Sequence, residues 1–381
     1  MISSILDTDL YKISMCQAVA EKFPRAVAEY RFFNRDPERV ITPEMFRRIE
    51  DEVIAVSKLR LTDDEYEWLV RKCRFLKPWF LDALRSAKLD RGRIFISDDG
   101  EIKVRGLWYD TILWEVPLLA IISEVCMTWD KSGATQSHVL DEVAEKTKTK
   151  ALAMLDAGCK FADFGTRRRF SALVHDRVVS VLSHFGSCIG TSNVHLARKY
   201  KLKPIGTMAH EWVQGVSGLV GLHHANRHAM ELWQDVYRGS LGIALTDTFG
   251  SEAFWCDVDG WLLRLYDGVR QDSGDPFVFA ERAIAAYHER HIDPKTKTII
   301  FSDALDVEKA VAIQEKFGHR VKVAFGIGTN LTCDVDGHKP MNIVVKLISI
   351  DGVPVVKLSD SPGKVMGETE AVRVARWTFG L

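Results

Sequence analysis

The spacing of apolar residues changes character at Phe161. Before it the pattern is mixed. Leu10, Ile13 and Ala18 share one face of a helix predicted over residues 1–20, with Asp7 and Thr8 as capping residues. Ala26 to Phe33 is rich in strand-forming residues, and residues 38–90 repeat apolar positions at helical spacing among charges. Arg93 to Val104 predicts short strands around an Asp99-Gly100 turn, and residues 117–155 return to helix.

From Phe161 onward, short apolar runs stop abruptly in polar or glycine-rich turns at Asp163, Gly190, Gly206, Thr246, Gln271, Ser302 and Gly326. Helical stripes follow, such as Phe170, Leu173, Val174, Val181 and Leu182, or Val307, Ala310 and Ile313. Roughly seven successive βα units predict a parallel sheet. Polar residues at nearly every strand end favour a barrel, since an open sheet concentrates ligands at one switch point. Ile343 to Leu358 predicts a hairpin turning at Asp351-Gly352. The expected fold is α/β: an irregular (β/α) barrel of about seven parallel strands over 156–334. An α+β domain formed by 1–155 and joined by 335–381 completes it.

Composition narrows the function classes. The chain has 381 residues, 46% hydrophobic and 27% charged, enough for a large core without staples. Its 51 Lys+Arg nearly cancel 52 Asp+Glu, and the densest basic run is only Arg167-Arg168-Arg169. Neither nucleic acid nor anionic lipid is an expected partner. Seven dispersed cysteines without a C-x-x-C predict reduced thiols. The apolar run Pro117 to Ile122 is far shorter than the ~20 residues of a membrane span. Met1-Ile2-Ser3-Ser4 begins no charged-then-apolar leader. A soluble, cytoplasmic protein is expected.

The candidate chemistry lies at the strand ends. Gly326-Ile327-Gly328-Thr329 has the exposed-amide glycines of a phosphate loop, although Leu331 stands where a dinucleotide fingerprint needs glycine. Asp247, Asp272, Asp275 and Asp303 follow strands, where carboxylates hold Mg²⁺ or ribose hydroxyls but singly also cap helices. His210 sits at the same face, and one arginine of the 167–169 run suits an anion clamp. His223, His224 and His228 lack a third metal-ligand pattern and read as surface helix residues.

Several strings together resemble the nicotinate phosphoribosyltransferases: Thr8-Asp9-Leu10-Tyr11-Lys12, Phe164-Gly165-Thr166-Arg167-Arg168, Gly190-Thr191-Ser192-Asn193-Val194 and Gly206-Thr207-Met208-Ala209-His210-Glu211. Arg270-Gln271-Asp272-Ser273-Gly274-Asp275-Pro276, Phe301-Ser302-Asp303, Phe325-Gly326-Ile327-Gly328-Thr329 and Leu358-Ser359-Asp360-Ser361-Pro362-Gly363-Lys364 follow in the family's order. The resemblance implies that nicotinate attacks C1 of 5-phosphoribosyl 1-diphosphate, coupled to ATP hydrolysis through a phosphohistidine at His210, with Mg²⁺ as cofactor. It implies that Asp247 orients His210 and that Tyr11, with Phe164, stacks on the pyridine ring. Tyr11 is implied to come from a neighbouring subunit of a homodimer. Arg167, Thr207 and Arg270 are implied to bind the nicotinate carboxylate or the diphosphate, the assignment among them open. Asp272 and Asp303 would hold ribose hydroxyls or Mg²⁺, and Gly328 and Thr329 the 5′-phosphate. Nicotinamide-using relatives carry Gly-Thr-Asp where this chain has Gly190-Thr191-Ser192. Nicotinamide use, or a non-catalytic nucleotide-binding barrel, are the alternatives.

Overall fold

A computed structural model describes residues 1–36, 38–97, 100–129 and 136–381. The first helix runs Leu10–Lys22, starting more than two turns later than expected, and Asp9 is its N-cap residue. Asp7 does not cap it: both Asp7 oxygens accept hydrogen bonds from Arg169, at 2.8 and 2.9 Å. Thr8 does not cap it either. Three helices follow, Pro43–Ser57, Asp63–Lys72 and Pro78–Ser86, the second closed by a capping box between Thr62 and Glu65.

Strands β1 (Val27–Asn34), β2 (Ile94–Ile96), β3 (Ile102–Leu107), β10 (Ile343–Ile350) and β11 (Val353–Pro354) form one antiparallel sheet in the order β11-β10-β1-β3-β2. β10 therefore returns beside β1, as the hairpin at Asp351-Gly352 implied. β2 and β3 pair antiparallel, while Asp99 of the expected Asp99-Gly100 turn lies outside the described residues.

The second sheet is wholly parallel. β4 (Phe161–Asp163), β5 (Cys188–Thr191), β6 (Ile243–Leu245), β7 (Gly268–Gln271), β8 (Thr298–Phe301) and β9 (Lys322–Ile327) take the order β5-β4-β9-β8-β7-β6. Six strands form where about seven were expected. The run before Gly206 makes only a bridge, Thr191 to Pro204, because Pro204 has no N–H to extend a ladder. Its neighbours still bond: Ile205 N donates to Thr191 O at 2.9 Å, and Thr207 Oγ1 donates to Ile243 O of β6 at 2.9 Å. In the helix Ala172–Leu182, Val174 and Leu182 are buried as the stripe predicts, whereas Leu173 is exposed.

The stretch Trp108–Thr128 is apolar and long enough to cross a membrane, yet 83% of its most apolar window is buried by the rest of the chain. It is a core helix. Trp108 stacks against Phe23 and Trp212 at 6.2 Å, and Trp212 meets Trp233 edge-on at 5.6 Å. This cluster seats the helix His210–Val220. Gly215 is required there, since a Cβ would stand 2.1 Å from the Trp108 ring. None of the seven cysteines forms a disulfide.

The Asp7–Arg169 pair fastens the N-terminal segment to the parallel sheet. Burial opposes ionisation of Asp7, but the Arg169 charge and hydrogen bonds overcome it and hold the carboxyl at about 2. A depressed carboxylate stabilises the fold above its ordinary range, and that stability is lost as pH falls towards 2. The expected loss is about 2 kcal/mol. Arg169→Met strands a buried carboxylate and should cost about 3–5 kcal/mol in urea unfolding at neutral pH. An unchanged midpoint would refute the fastening role.

Candidate active site

The C-terminal ends of the parallel strands open into a cavity of about 480 Å³, walled on its other side by β10 and the segment 357–366. Nine of the residues expected in the site line it: Tyr11, Phe164, Arg167, His210, Arg270, Asp272, Asp303, Gly328 and Thr329. Two do not. Thr207 spends its hydroxyl on the β6 carbonyl, and Asp247 is fully buried behind His210. Asp275 caps the helix Pro276–Glu289 by accepting from Phe277 and Val278 N–H groups, which is the bland reading of that residue.

Tyr11 reaches the cavity of its own chain. Leu10 N donates to Ser192 O and Val194 N to Thr8 O, both at the end of β5. This local pairing places the Tyr11 ring at the cavity wall. The Arg167 guanidinium lies 5.8 Å from the Tyr11 ring centre. Arg167 is held firmly charged by Tyr11, Glu115, Asp9 and Asp272. Its carboxylate neighbours stand off, Glu115 at 3.7 Å and Asp9 at 4.0 Å. Ser192 donates to Asp9 at 2.7 Å, and burial raises the Asp9 carboxyl. Phe164 packs where Gly326 leaves room, since a Cβ on Gly326 would lie 2.4 Å from the ring.

His210 is the first residue of its helix and is buried. Nδ1 lies 3.1 Å from Thr248 Oγ1, while Nε2 lies 3.1 Å from Asp272 and 2.8 Å from Lys357 Nζ. One ring nitrogen cannot serve both. With the proton on Nε2 the ring donates to Asp272; with the proton on Nδ1, Nε2 accepts from Lys357. Burial and the Lys357 charge push the imidazole down to about 4, so it is neutral at physiological pH and able to act as a nucleophile. Asp247 stands 3.8 Å from Nε2, outside hydrogen-bond range, and accepts from Ser273 at 2.5 Å. Its nearer charged partner is Lys357, at 3.5 Å.

The pattern of the sequence left several cations without a role. Lys357 and Lys364 enter on a segment sewn to the loop after β7: Asp360 N donates to Ser273 Oγ, and Gly274 N to Ser361 Oγ, each at 3.0 Å. Lys364 bonds the Asp303 carboxylate. Lys346 on β10, Arg35 and Arg168 complete a basic wall. The signal for Lys346 was available, a single lysine within the apolar strand Ile343–Ile350. Among the described residues, no three His, Cys, Asp or Glu side chains gather to hold a metal. Asp272 and Asp303 are already engaged by His210 and Lys364.

A sequence profile described as "Nicotinate phosphoribosyltransferase (NAPRTase) family" matches residues 159–381. A second, for its N-terminal domain, matches residues 6–123. The chain belongs to the nicotinate phosphoribosyltransferase family. Relatives of that name from Methanosarcina mazei and Methanosarcina acetivorans are 48% and 47% identical, across 100% of this chain and 98% of each relative. The solved nicotinate phosphoribosyltransferase of Porphyromonas gingivalis superposes with a TM-score of 0.95 at 41% identity, covering 100% of both chains. That of Vibrio cholerae superposes at 0.94 and 36%, covering 100% of this chain and 94% of that one. The family membership makes this chain a phosphoribosyltransferase and accounts for a cavity lined by both cations and carboxylates.

Burial and the neighbouring Lys357 lower Lys346 to about 7. A lysine depressed in this way is charged below that pH and neutral above it. Inorganic diphosphate should therefore bind more weakly as pH rises through 7, and Lys346→Met should flatten that dependence. Calorimetric titration between pH 6 and 8 checks it.

Proposed function

We propose that the chain transfers a phosphoribosyl group from 5-phosphoribosyl 1-diphosphate to nicotinate, with ATP hydrolysed through phosphorylation of His210. The observation that carries this reading is the meeting, in one cavity, of a guanidinium and aromatic rings for a flat anion with carboxylates, a lysine-rich wall and a neutral histidine. Atoms balance as nicotinate, donor, ATP and water giving nicotinate mononucleotide, diphosphate, ADP and phosphate. In the transfer the pyridine nitrogen bonds C1 as the C1–O bond to diphosphate breaks. The ribosyl centre passes through an oxocarbenium-like state, so catalysis rests on positioning and on neutralising the leaving group.

Arg167 would take the carboxylate, with Tyr11 and Phe164 holding the ring. Arg270, Lys357 and Lys364 would neutralise diphosphate, Asp272 and Asp303 would bind ribose hydroxyls, and Gly328 and Thr329 would receive the 5′-phosphate. Mg²⁺ would enter with the phosphates and lend positive charge there. In the coupling step an imidazole nitrogen of His210 bonds the γ-phosphorus as ADP leaves, and water later takes the phosphoryl group. Asp247, through Lys357 and Ser273, would steady the groups around the ring. Ser192 in place of an aspartate supports nicotinate over nicotinamide, since an aspartate there would accept from an amide NH₂ but repel a carboxylate, and Ser192 lacks that charge.

The same reading closes the six parallel strands and the 203–207 segment into an irregular barrel over 156–334. The sheet containing β1 and β10 would form a second domain from 1–155 and 335–381. Homodimer assembly is carried over from the family alone.

Product formation from nicotinate and the donor, with and without ATP, tests the reading beside a parallel assay on nicotinamide. Faster nicotinate mononucleotide formation with ATP, and little nicotinamide product, is expected. His210→Ala should lose the ATP stimulation yet keep slow transfer; an identical ATP response in variant and wild type would remove the phosphohistidine. Arg270→Ala should raise the donor or nicotinate KM by about tenfold, the loss of one charged hydrogen bond.

A further inference from the structure

The wall around Arg167 has an electrostatic problem that a residue behind it solves. Asp9, Glu115 and Glu211 all line the cavity, yet the proposed substrate carries a carboxylate of its own. Lys12, one residue beyond Tyr11, is fully buried and does not line the cavity. Its ammonium pairs with both Glu115 and Glu211. Glu211 is further held by Tyr30 OH at 2.5 Å and Trp108 Nε1 at 2.8 Å. Glu115 is shared: its second oxygen stands 3.7 Å from Arg167.

Glu115 therefore is in close contact with Lys12 and has Arg167 as its next nearest cation, with the Lys346 charge also acting on it. If Lys12 were absent, the buried Glu115 carboxylate would turn to Arg167, the remaining cation beside it, and occupy the guanidinium. The wall would also gain one unit of negative charge in a region of low dielectric.

We propose that Lys12 is a positioning residue for substrate choice: by holding Glu115 and Glu211 from behind the cavity wall, it keeps Arg167 free for an anionic base. This rests on the nicotinate reading of the cavity. Lys12 touches no substrate and acts through Glu115 and Arg167. Its position next to Tyr11, and that of Glu211 next to His210, ties the two catalytic segments to one buried charge pair.

The test compares kcat/KM for nicotinate with that for nicotinamide, the latter measured as alternative substrate or as competitive inhibitor. In Lys12→Met the KM for nicotinate should rise about tenfold or more while nicotinamide is little affected, because only the anion feels the added charge. Lys12→Met/Glu115→Gln removes the carboxylate that would turn to Arg167 along with the cation and should recover most of the discrimination. Equal losses on both bases, or no recovery in the double variant, would reduce Lys12 to a structural role and overturn the proposal. Glu115→Gln gives a second route that leaves Lys12 paired with Glu211. It should lower the nicotinate KM several-fold without improving nicotinamide binding, and an unchanged ratio would also overturn it. A wild-type chain that uses neither base would instead overturn the nicotinate reading, together with the inference built on it.

Discussion

A buried carboxylate–guanidinium pair holds the N-terminal segment across the ends of the parallel strands. Asp7 accepts both nitrogens of Arg169 and also receives Asn193 Nδ2 at 2.7 Å, so residues far apart in the chain meet at one point. From that anchor the backbone runs through Thr8, Asp9 and Leu10 against Ser192 and Val194, and the next residue is Tyr11. A segment without this pair would have no reason to lie over polar strand ends. Breaking one partner leaves an uncompensated charge in the interior, which is why the arrangement is all-or-none.

Charge is partitioned across the cavity. One side carries Arg35, Arg168, Lys346, Lys357 and Lys364, and the Arg167 side carries Asp9, Glu115 and Glu211. Burial, together with the Lys357 charge, pushes Lys346 down to about 7, and the same two causes push His210 down to about 4. In the proposed coupling step, this neutral histidine beside a lysine and an aspartate would accept the phosphoryl group and release it. Three carboxylates around a single guanidinium would defeat anion binding unless something behind them answered their charge, and Lys12 is the group in that position.

Most of the motif strings lie at strand ends, and local sequence sets where a strand stops. Phe164, Arg167, His210, Arg270, Asp272, Asp303, Gly328 and Thr329 were readable in this way, whereas Tyr11 lies on the first helix and was named by the resemblance alone. Thr207 and Asp247 were readable as strand-end residues too, but direction is a property of packing: one hydroxyl turned to a β6 carbonyl, and one carboxylate turned behind the histidine. Lys346, Lys357 and Lys364 went without roles because they come from a hairpin and a following segment. Their position over the cavity depends on pairing between β1 and β10 and on the Ser273 and Ser361 hydroxyls.

Periodicity and turn chemistry by themselves determined the parallel α/β class, the C-terminal hairpin at Asp351-Gly352, and the face on which the chemistry sits. These follow from local rules of strand, turn and helix that act within a few residues. Tertiary structure alone decided that the segment before Tyr11 lies against Ser192 and Val194 and that Asp7 pairs rather than caps. It also decided which carboxylate Lys12 shares with Arg167. Each of those outcomes depends on a partner more than a hundred residues away, and the cost of burying an unpaired charge or an unsatisfied backbone group selects it.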